Sequence, residues 1–286
     1  RLFNITGINK TDGGKKVTIE AILIDYQTDV HNITGNIEFD INGKKYTAPI
    51  VNGLATATLH LTDLPANTYM VTATYDGDDS VYFGSTNSTY FIVPLRNNWI
   101  KIVVDDMLYG GITIANVTTA GNGTVLIYVG GKNKTARVYN GQAIIDLSTL
   151  LGGYLHPGNW SIGAVYLEDR YFSYAINQTT FEIFKLNTTI NATPTNITYG
   201  QNEIINVTVD NATTGYIAVR IYNDIYVRPI VNGTVQFNIS GLDAGNYTNI
   251  TVTYQGDEIF NGISTNISFT VKPAPIYTFD VKVADI

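Results

Sequence analysis

The chain has 286 residues and a formal charge of −7, and only 14% of its residues are charged. It therefore lacks the clustered Lys and Arg that nucleic acids and anionic membranes reward. It contains no cysteine, which excludes disulfides, a thiol nucleophile and thiolate metal sites.

No apolar run approaches the ~18 residues needed for a membrane helix. No secretory leader is present, and the start at Arg1 reads as a processed product or an excerpt of a longer protein. Short segments rich in Thr, Val, Ile and Tyr, punctuated by Gly and Asn, predict an all-β chain.

The first segment, 1–94, opens with a strand near Leu2 to Ile8. A second runs from Lys16 to Ile24, where Val17, Ile19, Ala21 and Leu23 alternate with polar residues, so one face meets a core and the other meets water. Ile37, Phe39 and Ile41 lead into Asn42-Gly43, a hairpin pair in which both residues tolerate positive φ. The return strand ends at Asn52-Gly53, Leu54 to Leu61 follow, and Tyr69 to Tyr75 and Tyr90 to Val93 complete seven predicted strands.

The second segment, 95–185, repeats this plan less cleanly. Gly130-Gly131 stands for the Asn-Gly hairpin, Asn140-Gly141 matches Asn52-Gly53 and Asn232-Gly233, and the stretch from Ser148 to His156 is longer than its counterparts. The third segment, 186–273, is the most regular. It carries one extra residue between Tyr247 and Tyr254, which predicts a β-bulge near Asn249. The junctions at Pro94-Leu95 and Lys185-Leu186 leave almost no linker, so the units are expected to stack end to end.

A motif fixes the repeat. Leu64-Pro65-Ala66-Asn67-Thr68-Tyr69, Leu155-His156-Pro157-Gly158-Asn159-Trp160 and Leu242-Asp243-Ala244-Gly245-Asn246-Tyr247 each lead into a strand ending at Tyr75, Tyr166 or Tyr254, positions 91 and 88 residues apart. Such a period marks a tandem array. An aromatic at the start of the sixth strand, folding back on the preceding corner, is the tyrosine corner of Ig-like sandwiches. Tyr69 and Tyr247 occupy that place, and Trp160 substitutes, able to bond only through its indole N–H. The fold expected is three tandem Ig-like seven-stranded β-sandwiches.

The tail, 274–286, follows the breaker Pro273-Ala274-Pro275. Tyr277, Phe279, Val281 and Val283 alternate in it like an opening strand. It reads either as the first strand of a following domain or as a donor strand for a neighbouring copy, giving a head-to-tail homopolymer.

With these residues in view, the Ala-Gly-Asn-Tyr corner, the Tyr-x-Gly-Asp turn, the Asn-Gly hairpins and Tyr199-Gly200-Gln201 resemble the bacterial Ig-like repeats of archaeal adhesin-like surface proteins, especially those of methanogens. The resemblance covers the first and third units well and the second loosely. It implies an extracellular, cell-anchored, repetitive protein in surface attachment and brings no catalytic residues.

Nineteen Asn-x-Ser/Thr triplets occur, against about five expected by chance composition. Strand faces rich in Asn and Thr generate some of them, because i and i+2 share a face. The triplets include Asn4 and the glycosylation candidates Asn32, Asn87, Asn122, Asn177, Asn196, Asn206, Asn211 and Asn266, of which Asn122, Asn196 and Asn211 are read as loop sites, which the strand pattern explains least.

Asp76, Asp78 and Asp79 share one turn, but the other units offer only Glu168 with Asp169 and Asp257 with Glu258. A solvated hairpin turn is expected there, not calcium. His31, His60 and His156 are too scattered for zinc, and no Gly-x-Ser-x-Gly elbow occurs.

Lys101, Asn177 and Glu182 could form an intramolecular Lys-Asn isopeptide set. Tyr154, Tyr171 and Tyr174 could present aromatic rings to surface glycans. The reading is a non-enzymatic stalk segment with no cofactor, metal or nucleic-acid partner. A polymerising fibre subunit and a carbohydrate-binding module are the alternatives.

Overall fold

The computed structural model describes residues 2–11, 15–24, 33–77, 82–148, 155–212, 214–277 and 281–282. Its architecture is all-β, and the buried side chains fall into three separate clusters, spanning 17–93, 100–183 and 197–271. Each cluster is the interior of one two-sheet sandwich.

In the first unit, β1 (Leu2–Thr11), β2 (Lys16–Ile24) and β5 (Leu54–His60) form one sheet, in the order β1-β2-β5. The other sheet has the order β4-β3-β6-β7, from β3 (Asn36–Ile41), β4 (Lys44–Pro49), β6 (Asn67–Gly77) and β7 (Phe83–Val93). The period-two pattern aims Val17, Ile19 and Ala21 at Ile37, Phe39, Val71 and Ala73, all fully buried. Burying a side chain such as Phe39 is worth about 1.5–3 kcal/mol.

The second unit comprises β8 (Ile100–Val104), β9 (Met107–Leu108), β10 (Ile114–Thr119), β11 (Thr124–Val129), β12 (Lys132–Arg137), β13 (Gln142–Asp146), β14 (Gly158–Leu167) and β15 (Ala175–Phe184). The third repeats it with β16 (Ile190–Thr193), β17 (Ile197–Thr198), β18 (Glu203–Val209), β19 (Tyr216–Ile221), β20 (Asp224–Pro229), β21 (Thr234–Ile239), β22 (Gly245–Tyr254) and β23 (Ile263–Lys272). Each has a three-stranded sheet facing a five-stranded one.

The expectation of seven strands per unit is therefore corrected for units two and three. Their opening strand splits in two, and its second piece crosses to lie parallel to the last strand, β9 beside β15 and β17 beside β23. The break has local causes. Pro194 has no N–H for the ladder, the Thr195 amide bonds to the Glu203 carboxylate instead, and in the second unit Asp106 accepts the Glu182 amide. In the first unit β1 stays paired with β2 from Leu2 to Thr11, with a bulge between Ile5 and Gly7.

The turns follow the sequence chemistry. Asn42-Gly43, Asn52-Gly53, Asn140-Gly141 and Asn232-Gly233 all have positive φ at both positions, the backbone that matches strand twist in a two-residue hairpin. Register shifts between Tyr247 and Ile250, where Asn249 takes φ 56°, so the extra residue is accommodated as a bulge.

The strand expected over 276–286 does not form among its described residues. Residues 273–277 and 281–282 are not in a strand, and Ile276, Tyr277 and Val281 are exposed. Phe279 and Val283 lie outside the described residues.

Candidate functional site

The three corners share one geometry. Tyr69 Oη donates to the Pro65 carbonyl at 2.9 Å, Tyr247 Oη to the Asp243 carbonyl at 3.0 Å, and Trp160 Nε1 to the His156 carbonyl at 2.9 Å. In each case the donor lies four residues past the acceptor. The rings stack on the last strand, Tyr69 on Phe91 at 5.2 Å and Tyr247 on Phe269 at 4.9 Å. Burial pushes both tyrosine hydroxyls above their ordinary titration range. The two tyrosine rings are buried supports of the corner, and the Trp160 ring is half-buried.

At the far end of the same strand stands a second tyrosine. Tyr254 donates to the Thr214 carbonyl at 2.8 Å, and Tyr166 accepts from the Gly123 amide at 2.9 Å while donating to Asp169 Oδ2 at 2.6 Å. Burial, with the neighbouring aspartate, pushes each hydroxyl up to about 12. Gly121 and Gly123 are required here, because a Cβ on either would stand 2.3 or 2.5 Å from the Tyr166 oxygen.

The acidic turns are explained by their own backbone. Asp169 Oδ1 accepts the amides of Tyr171 and Phe172, and Asp257 Oδ1 accepts those of Ile259 and Phe260, all at 2.7–2.8 Å. Burial alone would raise these carboxyls. For Asp169, hydrogen bonds from Tyr166 and the two amides outweigh burial and hold it below the usual range. The same balance holds Asp257 down, through Phe260, Thr214 and Ile259. Asp78 and Asp79 lie outside the described residues, and no cluster of three or more metal-ligating side chains occurs among the described ones.

These turns clamp the junctions. Arg96 follows the first unit, and its amide donates to the Tyr171 carbonyl at 2.8 Å while its carbonyl accepts the Ser173 amide at 2.9 Å. At the second junction Leu186 repeats this with Ile259 and Asn261, both at 2.8 Å. Each clamp borders a cleft between linker, turn and sandwich. The first, about 800 Å³, is lined by Arg96, Arg137, Arg170, Tyr171, Asn122 and Glu168, among others. The second, about 780 Å³, is lined by Lys185, Thr214, Tyr216, Asp257 and Glu258, among others.

The sequon asparagines differ in what their side chains do. Asn122, Asn196, Asn206 and Asn266 are exposed and use only the amide oxygen, accepting from Gly141, Thr270, Gln236 and Thr251 respectively. Asn177 instead donates its amide nitrogen to the Ile100 carbonyl at 2.9 Å. Asn87 is half-buried and its oxygen accepts the Ser88 amide. Asn211 is exposed at φ 60°. Asn32 lies outside the described residues, and of Asn4 only the backbone is described.

Lys101 and Asn177 both lie on exposed positions, whereas an isopeptide set needs a shielded carboxylate beside the pair. The buried carboxylate of the described chain is Glu203, in another unit. Of the rings considered for glycans, Tyr154 is outside the described residues, Tyr174 is exposed, and Tyr171 lies between two guanidinium groups, Arg96 at 5.5 Å and Arg170 at 5.9 Å. The arginine-lined cleft was not foreseen. Its sequence signal was three arginines at repeat positions that the next unit fills with other residue types.

No family model and no curated protein matches the chain. Among solved structures it is similar to a 1.5-MDa bacterial ice-binding adhesin involved in host cell surface retention, with 14% identity over 95% of this chain and 98% of that one at a TM-score of 0.35. It is similar to a tetra-tandem repeat from the extending region of a large adhesion protein, with 16% identity, 94% and 73% coverage and a TM-score of 0.42. The titin I-band fragment I67–I69 gives 11% identity, 91% and 93% coverage and a TM-score of 0.38. No helix among the described residues is long and apolar enough to cross a membrane.

Proposed function

We propose that this chain is a non-enzymatic, extracellular stalk segment of an adhesin-like cell-surface protein, of the archaeal kind its sequence resembles, whose task is to hold a distal group away from its anchor. The observation that carries the reading is the pair of clamps at Arg96 and Leu186. Each clamp pins the residue that follows one sandwich to a turn of the next unit, leaving almost no free linker, which suits a spacer and leaves little room for free hinging. Exposed sequons at Asn196, Asn206, Asn211 and Asn266 suit a glycan-dressed surface.

Pulling a single chain from its ends tests this. Three successive unfolding peaks are expected, each releasing roughly 30 nm, about 90 residues at ~3.5 Å each. Extension at low force without discrete peaks would overturn the mechanical reading.

A second reading, a fibre subunit polymerised by donation of 276–286, has its own support. Ile276, Tyr277 and Val281 of that segment are exposed apolar residues, and an apolar strand without a sheet of its own tends to add to a neighbouring edge. Deleting 276–286 should abolish assembly seen by light scattering, and unchanged assembly would remove this reading.

A further inference from the structure

The two junction clefts are built from equivalent elements, so each is a control for the other. Arg96 and Leu186 occupy the same clamp position. Arg137 and Pro229 both end the edge strand, opposite the first residues of β11 and β19. Arg170 and Glu258 both follow the capping aspartate. The second clamp forms with Leu, Pro and Glu in these places, so closing a junction requires none of the arginines.

The first cleft nevertheless gathers three of the six arginines of an acidic chain. Arg96 is held by its bond to the Thr62 carbonyl and by the faces of Tyr171 and Phe172. Among the described residues the guanidinium groups of Arg137 and Arg170 make no hydrogen bond. Asp169 and Glu168 offset them only in part, because two carboxylates face three guanidinium groups and the Asp169 oxygens already accept from Tyr166, Tyr171 and Phe172. Unspent, planar, paired donors are the groups that recognise a carboxylate.

The rest of the lining is mixed, with Leu167, Tyr171 and Phe172 as its apolar part. Asn122, Thr124, Thr62 and Glu168 supply amide, hydroxyl, carbonyl and carboxylate groups, which suit a ligand bearing hydroxyls. A cleft of about 800 Å³ falls in the range used for small molecules.

We infer that the cleft between the first and second units binds a carboxylate-bearing sugar of the uronic- or sialic-acid type, with Arg137 and Arg170 on the carboxylate and Asn122 and Glu168 on the hydroxyls. This goes beyond the stalk reading and does not depend on it. A spacer with an empty cleft would still be a spacer.

The test is an amide-NMR titration of the full, unglycosylated chain with glucuronate, N-acetylneuraminate, N-acetylglucosamine and inorganic phosphate. One or both acidic sugars are expected to shift Gly123, Thr124 and Tyr171 and to leave the second cleft, at Tyr216 and Ile259, unchanged. The double variant Arg137→Ala, Arg170→Glu, which moves the first cleft toward the second, should weaken binding at least about tenfold, with the remaining amide spectrum intact. Arg220→Ala should bind as the parent does. The proposal is overturned if neither acidic sugar shifts the cleft, if phosphate or the neutral sugar does so equally well, or if the double variant binds like the parent.

Discussion

The backbone amide of Ala66, in the corner loop of the first unit, donates to the carbonyl of Arg170 in the second at 2.7 Å. The equivalent residue at the next junction is Pro157, three before Trp160 as Ala66 is three before Tyr69, and proline has no amide to give. The two junctions therefore share a clamp but not this strut. Ala66→Pro should make the first junction like the second, at a cost of about 1 kcal/mol in coupling. Relaxation measurements should show the tumbling times of units one and two moving apart, and unchanged tumbling would mean that the strut contributes nothing.

The corner can be dissected by atom. Tyr247→Phe keeps the ring stacked on Phe269 and deletes only the bond to Asp243, so a loss of about 1 kcal/mol is expected. Tyr247→Ala also removes the buried ring and should cost about 3–5 kcal/mol. Denaturant melts of the third unit should separate the two. Equal losses would show that the hydroxyl, not the packing, sustains the corner.

Why the corners were readable and the cleft was not follows from range. Tyr69, Trp160 and Tyr247 bond four residues back, the Asn-Gly turns act on two residues, and Val17, Ile19 and Ala21 obey a period of two. All of this is local and visible in any window of sequence. Arg96, Arg137 and Arg170 meet only because the linker, an edge strand and a turn converge. The split of the opening strand was partly legible, since Pro194 marks it in the third unit, whereas in the second it depends on Asp106 finding the Glu182 amide across the fold.

The turn aspartates predict an acid limb. The Asp257 carboxyl is held below its ordinary value of 3.8 in the folded state. The stability it contributes is present above about pH 3.8 and is lost as pH falls through the lower folded value. Asp257→Asn should cost about 1–2 kcal/mol at pH 7, with the gap to the parent closing below pH 3.8. A gap that stays constant down to pH 2 would remove the charge from the explanation.

Glu203 predicts the opposite slope. Its side chain is fully buried; Oε1 accepts the Thr195 amide at 2.7 Å, and Oε2 has no hydrogen-bond partner among the described residues. Burial raises its titration point above the ordinary 4.5. Between 4.5 and the folded value the native state holds a proton that the unfolded chain releases, so stability falls as pH rises through that window. The penalty is absent below pH 4.5 and complete above the folded value. Glu203→Gln cannot titrate, so the stability of the parent minus that of the variant should decline from pH 4.5 upward and then level off. Urea melts of the full chain at half-unit pH steps would measure it, and a difference that stays flat across the window would show that the carboxylate ionises without hindrance.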